Sequence, residues 1–373
     1  MNNKKTKRSK YIAGLIVPAI LVMFGCAADS DSDADGALDS VDLFPQNPLE
    51  SEDSDGDCGL AGVDYDPEDS DAGNGCGDNS DVVNDGTDIT NAIFIDTSAD
   101  CADYANALTA SVLDITRSLG FEASLLISSA SDSCTLSSNN IPNHDFNDAS
   151  ASFATNVSEV NRSFTIPRNP TASGTKTDLS QRSWDAVMLN GVVVDMLSAG
   201  CYDPGSPMAD PDGNVAIGCS ANDPWLLDPL GTDSKFGADA HNAHTQPDGT
   251  YHYHGSPMAM FDDSPGGNGS PVIGFAADGF PIFGSYFVDA NTGSMRKAIS
   301  GYTLKSGTRP TGASDPGGSY DGIYVDDYEF TNAGDLDECN GMTVNGQYGY
   351  YVTDSYPWLI KCFSGTPDAS FGK

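Results

Sequence analysis

Basic residues are scarce in this 373-residue chain: 17 Lys and Arg stand against 54 Asp and Glu, a formal net charge of −37. Nucleic acid and anionic lipid surfaces are poor partners for such a field, whereas divalent cations are good ones. Membrane-length apolar runs are missing as well. The uncharged run Tyr11 to Phe24 falls short of the roughly 20 helical residues that a hydrocarbon core requires, and no other stretch is long and apolar enough. Catalytic signatures are also lacking. There is no Gly-x-Ser-x-Gly elbow, no His-Glu-x-x-His helix and no phosphate-cradling Gly loop with a Lys. No isolated carboxylate pair for glycoside cleavage stands out among so many acids.

What is present begins with an export signal. Lys4, Lys5, Lys7, Arg8 and Lys10 form a basic cluster, the uncharged run follows, and it closes on Met23-Phe24-Gly25-Cys26. A short apolar core behind a basic cluster reads as a signal peptide over residues 1–25. A small residue before a Cys at the end of such a core resembles a bacterial lipobox. The resemblance implies lipidation of Cys26 and anchoring to a lipid membrane of the bacterial envelope, the outer membrane first. Met23 and the bulky Phe24 depart from the usual pattern, which leaves ordinary cleavage with Cys26 as a stray thiol as the alternative.

Nine Cys are present, and setting Cys26 aside leaves eight. An exported chain meets an oxidising compartment that favours disulfides. Proximity suggests local pairs: Cys58 with Cys76, Cys101 with Cys134, Cys201 with Cys219, and Cys339 with Cys362. None forms the paired short spacing of a zinc ribbon, so metal–thiolate chemistry is not expected.

Between Ala27 and Thr90 there are 20 acidic residues and no Lys or Arg. Asp31, Asp33 and Asp35 alternate, Gly36 follows, then Asp39 and Asp42, with Phe44-Pro45 closing the unit. Calcium takes six to eight oxygen ligands, and alternating carboxylates in a loop pivoting on Gly can converge on one ion. The stretch resembles a thrombospondin type 3 repeat, which implies calcium binding by residues 26–90. A degenerate second unit runs through Asp53, Asp55, Gly56 and Asp57, with Asp64 and Asp66 downstream. The alternative is a disordered acidic linker.

Composition changes near Asn91, and residues 91–373 carry nearly all the aromatics. That length can bury a single sizeable core. The one helical candidate is Asp100 to Leu119, where Tyr104, Leu108, Val112 and Ile115 recur at spacings of three and four. Elsewhere strand and turn dominate. Val187 to Leu189, Asn190-Gly191, then Val192 to Val194 reads as a hairpin with a two-residue turn, and Ile273 to Ala277, Asp278-Gly279, Phe280 to Phe283 repeats the scheme. Tyr348 to Thr353 is another strand. The expected fold class is mainly β (β-rich α+β): a single disulfide-stapled globular domain of short strands and long loops, on an extended acidic N-terminal tether.

Four of the five His fall in one segment: His241, His244, His252 and His254, with Tyr251 and Tyr253 interleaved. Strand alternation puts His252 and His254 on one face and the two Tyr on the other. Pro247-Asp248-Gly249 is strong turn chemistry. If those three residues form the loop of a hairpin, His244 falls opposite His252, so three imidazoles converge, with His241 as a possible fourth. Imidazole clusters suit zinc, copper, iron or nickel. Met258 and Met260 would favour copper if they turned inward, although Met is more often core filler. Asp239 and Asp248 are candidate ligands or partners orienting the imidazoles. A purely structural hairpin, each ring nitrogen bonded to backbone, is the alternative.

The Tyr251-His-Tyr-His254 string, the preceding Asn242-Ala-His244 and the later Gly274 to Ile282 resemble the YHYH-domain family. Ser138 to Asp145, Pro167 to Pro170, Leu189 to Val192 and Asp337 to Gly341 fit it too, so the resemblance spans roughly residues 95 to 365. It implies an exported bacterial protein with a metal-site motif and names no reaction. It also draws in His144 as a further site member. Two functional classes follow. One is a surface module that binds copper or zinc, or a ligand, through the histidine cluster, with calcium in its stalk. The other is a metal-dependent hydrolase or oxidoreductase with three His ligands and an open coordination position. The binding class is favoured, because no general base is tied to the cluster in the sequence. Whether the chain is an enzyme is left open.

Overall fold

The computed structural model describes residues 86–373, apart from 233–236, 264, 266 and 268. The signal peptide, the lipobox Cys26, the acidic repeat from Asp31 to Asp42 and the Cys58–Cys76 pairing lie outside the described residues.

Two sheets carry the fold. The first has five strands in spatial order Thr87–Asp88, Asn106–Asp114, Leu119–Ser129, Ser133–Ser138 and Arg162–Pro167, all antiparallel neighbours except the parallel first pair. Burial alternates along its long strands, so one face packs and the other meets solvent. The second sheet has eight strands in spatial order Ala243–Thr245, Tyr251–Tyr253, Val193–Val194, Ala186–Met188, Val272–Ala276, Pro281–Phe283, Gln347–Tyr351 and Gly341–Val344. Its central strands are buried on both faces. Apolar side chains of both sheets join one core that includes Leu125, Leu136, Val187, Phe275 and Ile282. Helix is limited to three short 3-10 turns among the described residues, so the fold is mainly β.

The helix expected over Asp100 to Leu119 does not form. A 3-10 turn, Cys101–Tyr104, leads into the strand Asn106–Asp114. Leu108 and Val112 are four apart, a spacing that satisfies a helical face and a strand face equally. The residues actually buried are Leu108, Ala110, Val112 and Asp114, an alternation of period two, while Ile115 is exposed. Pairing along the whole strand with Leu119–Ser129 decides the ambiguity.

The hairpins differ in one detail from a two-residue turn. Val187 pairs with Val193 and Met188 N donates to Val192 O, which leaves three loop residues, Leu189-Asn190-Gly191. Phe275 pairs with Pro281 and Ala276 N donates to Phe280 O, leaving Ala277-Asp278-Gly279. In both, the loop's last N–H bonds back across the turn at 2.8 Å, as in a type I turn followed by a left-handed glycine. The histidine hairpin follows the same rule with Pro247-Asp248-Gly249 as its loop, and His244 pairs with His252 as the spacing predicts.

Among the described residues three disulfides tie the loops: Cys101–Cys134, Cys201–Cys219 and Cys339–Cys362. These are the pairs expected from proximity. No helix among the described residues is long and apolar enough to cross a membrane.

Candidate metal centre

The strand Tyr251–Tyr253 sends alternate side chains to opposite faces of the eight-stranded sheet. On the inner face, Tyr251 and Tyr253 are fully buried. The Tyr251 hydroxyl donates to Asp239 Oδ2 at 2.8 Å, and its ring lies 5.3 Å from Phe146. The Tyr253 hydroxyl donates to His144 Nε2 at 2.6 Å and accepts from Asn190 Nδ2 at 2.9 Å.

The other face carries the histidines. The rings of His244, His252 and His254 form a triangle with every centroid pair 4.7 Å apart, and their planes cross at 69°, 82° and 74°. One ring nitrogen from each lies within 4.8 Å of the other two. Among the described residues this is the histidine cluster with metal-ligand spacing.

The backbone sets two of the tautomers. His244 Nδ1–H donates to Gly237 O at 2.9 Å and His252 Nδ1–H donates to Thr250 O at 3.2 Å, which makes Nε2 the acceptor nitrogen of each ring, that of His244 being hydrogen-bonded to His254 Nε2. An imidazole held by a carbonyl at one nitrogen presents the other to a metal. The His244 and His254 Nε2 atoms stand 3.0 Å apart. A tetrahedral ion 2.0–2.1 Å from each nitrogen spaces its ligands about 3.3 Å apart, so a small opening of the pair suffices. Nδ1 of His254 is buried without a hydrogen-bond partner; the Asp195 carbonyl acts on that ring electrostatically, outside hydrogen-bond geometry. Burial holds His252 and His254 well below the ordinary imidazole value, and their histidine neighbours lower them further. Three imidazoles, two of them tied to backbone at the outer nitrogen, could together hold a metal ion.

The triad stands in the wall of a cavity of about 530 Å³. Leu197, Ile217 and Pro229 give it an apolar side, and Asp195, Gln246 and Lys373 a polar one. Asp195 follows the strand Val193–Val194, which runs parallel to Tyr251–Tyr253 with Val193 beside His252. Its Oδ2 accepts from Gln246 Nε2 at 2.9 Å and from Lys373 Nζ, while Oδ1 is buried without a partner. Burial raises the Asp195 carboxyl, and Lys373 draws it back.

His144 and His241 do not join the triad. They stack on each other at 3.6 Å and 24°. His144 uses both nitrogens, Nδ1–H to Asp145 O at 2.8 Å and Nε2 to Tyr253; burial, then His241, holds it neutral at about 3. His241 donates from Nδ1 to Pro257 O at 2.6 Å. The pair lines a separate groove of about 460 Å³ with Met258 and Met260, so neither thioether faces the triad cavity. Asp239 holds Tyr251 and the backbone of Asn147, and Asp248 caps its own turn and pairs with Arg162. Neither points to the triad, and Asp278 is occupied with Tyr350 and Gly365 N.

Asp195, Gln246 and Lys373 escaped the sequence reading. Gln246 was within reach, being two residues from His244 and so on its face of the strand. Nothing local announces that residues 193 and 252 pair in parallel or that Lys373 docks beside them.

No curated protein and no solved structure matches the chain. A family profile described as "YHYH protein" matches residues 163–365, more than half of the chain. The match contains the hairpin, Asp195 and Gln246 and excludes His144, which narrows the span expected from the motifs. With the tetrapeptide at the centre of the matched segment and its two residue types on opposite faces of one strand, the chain belongs to the YHYH protein family.

Proposed function

We propose that this protein is a three-histidine metal protein whose ion, zinc or copper, keeps a coordination position open to the cavity and exchanges a small-molecule ligand there. The observation that carries this reading is the triangle of three rings, 4.7 Å on every side, in the wall of a cavity. A closed storage or structural site has four protein ligands, whereas the cluster offers three and lines a cavity. When bound, such an ion acts as a Lewis acid on a coordinated oxygen. His244, His252 and His254 hold it; Gly237 O and Thr250 O orient two of them; the apolar lining of Leu197 and Ile217 limits water. Metal-dependent hydrolysis or oxidation is within the reach of such a site, and Asp195 supplies the acidic group that the sequence had not revealed.

The reading extends to the N-terminal segment on sequence grounds alone. The centre is displayed from the bacterial envelope, at the outer membrane, by lipid on Cys26 and a stalk that Asp31, Asp33, Asp35, Asp39 and Asp42 stiffen around calcium. Loss of membrane partition in a Cys26→Ser variant checks the anchor. Calcium titration of a peptide covering residues 27–90 checks the stalk, and no binding at millimolar calcium would remove it.

The central test is metal content by elemental analysis of the full chain beside a His252→Ala/His254→Ala double variant. One equivalent of zinc or copper should co-purify and disappear in the variant. If both proteins fold and neither holds metal after reconstitution, the hairpin is structural and the reading fails.

A further inference from the structure

Buried carboxylate oxygens are rarely left without a donor, because removal from water costs the bond that water supplied. Asp195 is 3% exposed, and its Oδ1 has no partner. Its other oxygen is fully engaged, by Gln246 from the histidine hairpin and by Lys373. Lys373 is itself held in place: its backbone N–H donates to Arg182 O at 2.9 Å, and its ammonium sits 4.4 Å from the Trp184 ring centre. These contacts fix the carboxylate rotation; Oδ1 meets no donor within hydrogen-bond geometry, the Leu197 N–H acting on the carboxylate from outside it and the buried Asp185 carboxyl lying near.

The sheet register says where that acceptor stands. Val193 pairs with His252 and Val194 with Tyr253, and Asp195 N donates to Tyr253 O at 3.0 Å. Continuing the ladder, Asp195 lies beside His254, and laterally paired residues send their side chains to the same face about 5 Å apart. Asp195 therefore stands on the triad's face and lines the triad's cavity.

We propose that Asp195 is a positioning residue for the exchangeable ligand: Oδ1 accepts a hydrogen bond from an N–H or O–H group on the molecule that completes the metal's coordination. This rests on the three-histidine reading. The ligand class is then a small molecule with a metal-binding oxygen or nitrogen, a hydrogen next to that atom, and an apolar body to lie against Leu197, Ile217 and Pro229. Hydroxamic acids, primary amides and hydrated carbonyls have this chemistry.

The test uses the full chain stripped of metal and reloaded with cobalt(II), whose visible spectrum reports ligand entry. The probes are acetohydroxamic acid and its N-methyl derivative, which chelate alike but differ by one N–H. The wild type should bind the parent about tenfold more tightly than the N-methyl compound, as expected for a hydrogen bond to a charged acceptor. In Asp195→Ala and Asp195→Asn the two should fall within about twofold, because the Asn amide turns its oxygen towards Gln246 and Lys373 and presents NH₂ to the cavity. If the wild type shows no preference, or the preference survives in either variant, the inference is overturned; the wild-type arm decides even where a variant fails to fold. If cobalt does not bind at one equivalent, the three-histidine reading itself falls, and this inference with it. Cobalt binding without probe discrimination removes only the role of Asp195.

Discussion

The hydroxyl of Tyr253 donates to Nε2 of His144 at 2.6 Å, across the inner face of the strand whose outer face carries His252 and His254. The tyrosines of the family tetrapeptide thus anchor the strand in the core, and the anchored strand holds its histidines still. In a Tyr253→Phe variant the buried His144 Nε2 and Asn190 Nδ2 each lose a partner. Unfolding should show a loss of about 1–3 kcal/mol, while one metal equivalent is retained. A variant that kept its stability but lost its metal would contradict this division of labour.

The turn that places His244 opposite His252 depends on Gly249, which has φ +88° and whose missing Cβ would stand 2.2 Å from Ser158 Oγ and 2.9 Å from Asn156 O. Gly249→Ala should cost about 1–3 kcal/mol through left-handed strain alone, and the clash adds to it. Thermal unfolding should shift down by several degrees, and metal affinity should weaken with it because the ring triangle depends on this register. An unchanged melting temperature would show that the loop has another conformation.

Asp228 is buried, and its carboxyl is pushed up to about 6 from 3.8, by burial first, against the stabilising bonds from Leu230 N and Trp358 Nε1. A raised folded value means that this group's stabilising contribution is complete below pH 3.8 and is lost as pH rises through about 6. The wild type should therefore lose about 2 kcal/mol relative to Asp228→Asn between pH 4 and 6.5. Chemical denaturation of both proteins across that window reads the difference. Parallel curves would refute the burial argument.

Cys101, in the 3-10 turn, and Cys134, in an interior strand of the five-stranded sheet, close a loop of sequence separation 33. The chain-entropy cost of opening it is about 4 kcal/mol. A Cys101→Ala/Cys134→Ala variant should lose on that order in denaturant unfolding while the triad, on the other sheet, keeps its metal. Loss of metal together with stability would mean that the sheets unfold the site as one unit.

Ligand linkage adds a check independent of any variant. Holding free zinc or copper at 100 times its Kd should stabilise the protein by about 2.7 kcal/mol, and a chelator should reverse it. A melting temperature indifferent to both would leave the triad without an ion.

Much of the hairpin was legible because its determinants are local. Turn chemistry at Pro247-Asp248-Gly249 and alternation of period two are enough to put His244 against His252 and to part the histidines from the tyrosines. Proximity likewise anticipated the three described disulfides. Where two periodicities shared the same residues, as at Leu108 and Val112, the sequence favoured helix and the sheet overruled it, because strand pairing is a property of the partner strand as much as of the segment itself.

By itself, then, the sequence determined a β-rich, disulfide-tied chain with three imidazoles facing one another across a tight turn. Tertiary structure decided that His144 and His241 belong to the other face, and that Asp195 and Lys373 meet the triad in one cavity. The reason is range: a turn and its alternation act over a few residues, whereas the parallel register of Val193 with His252 and the docking of Lys373 on Trp184 are chosen by the packing of the whole core.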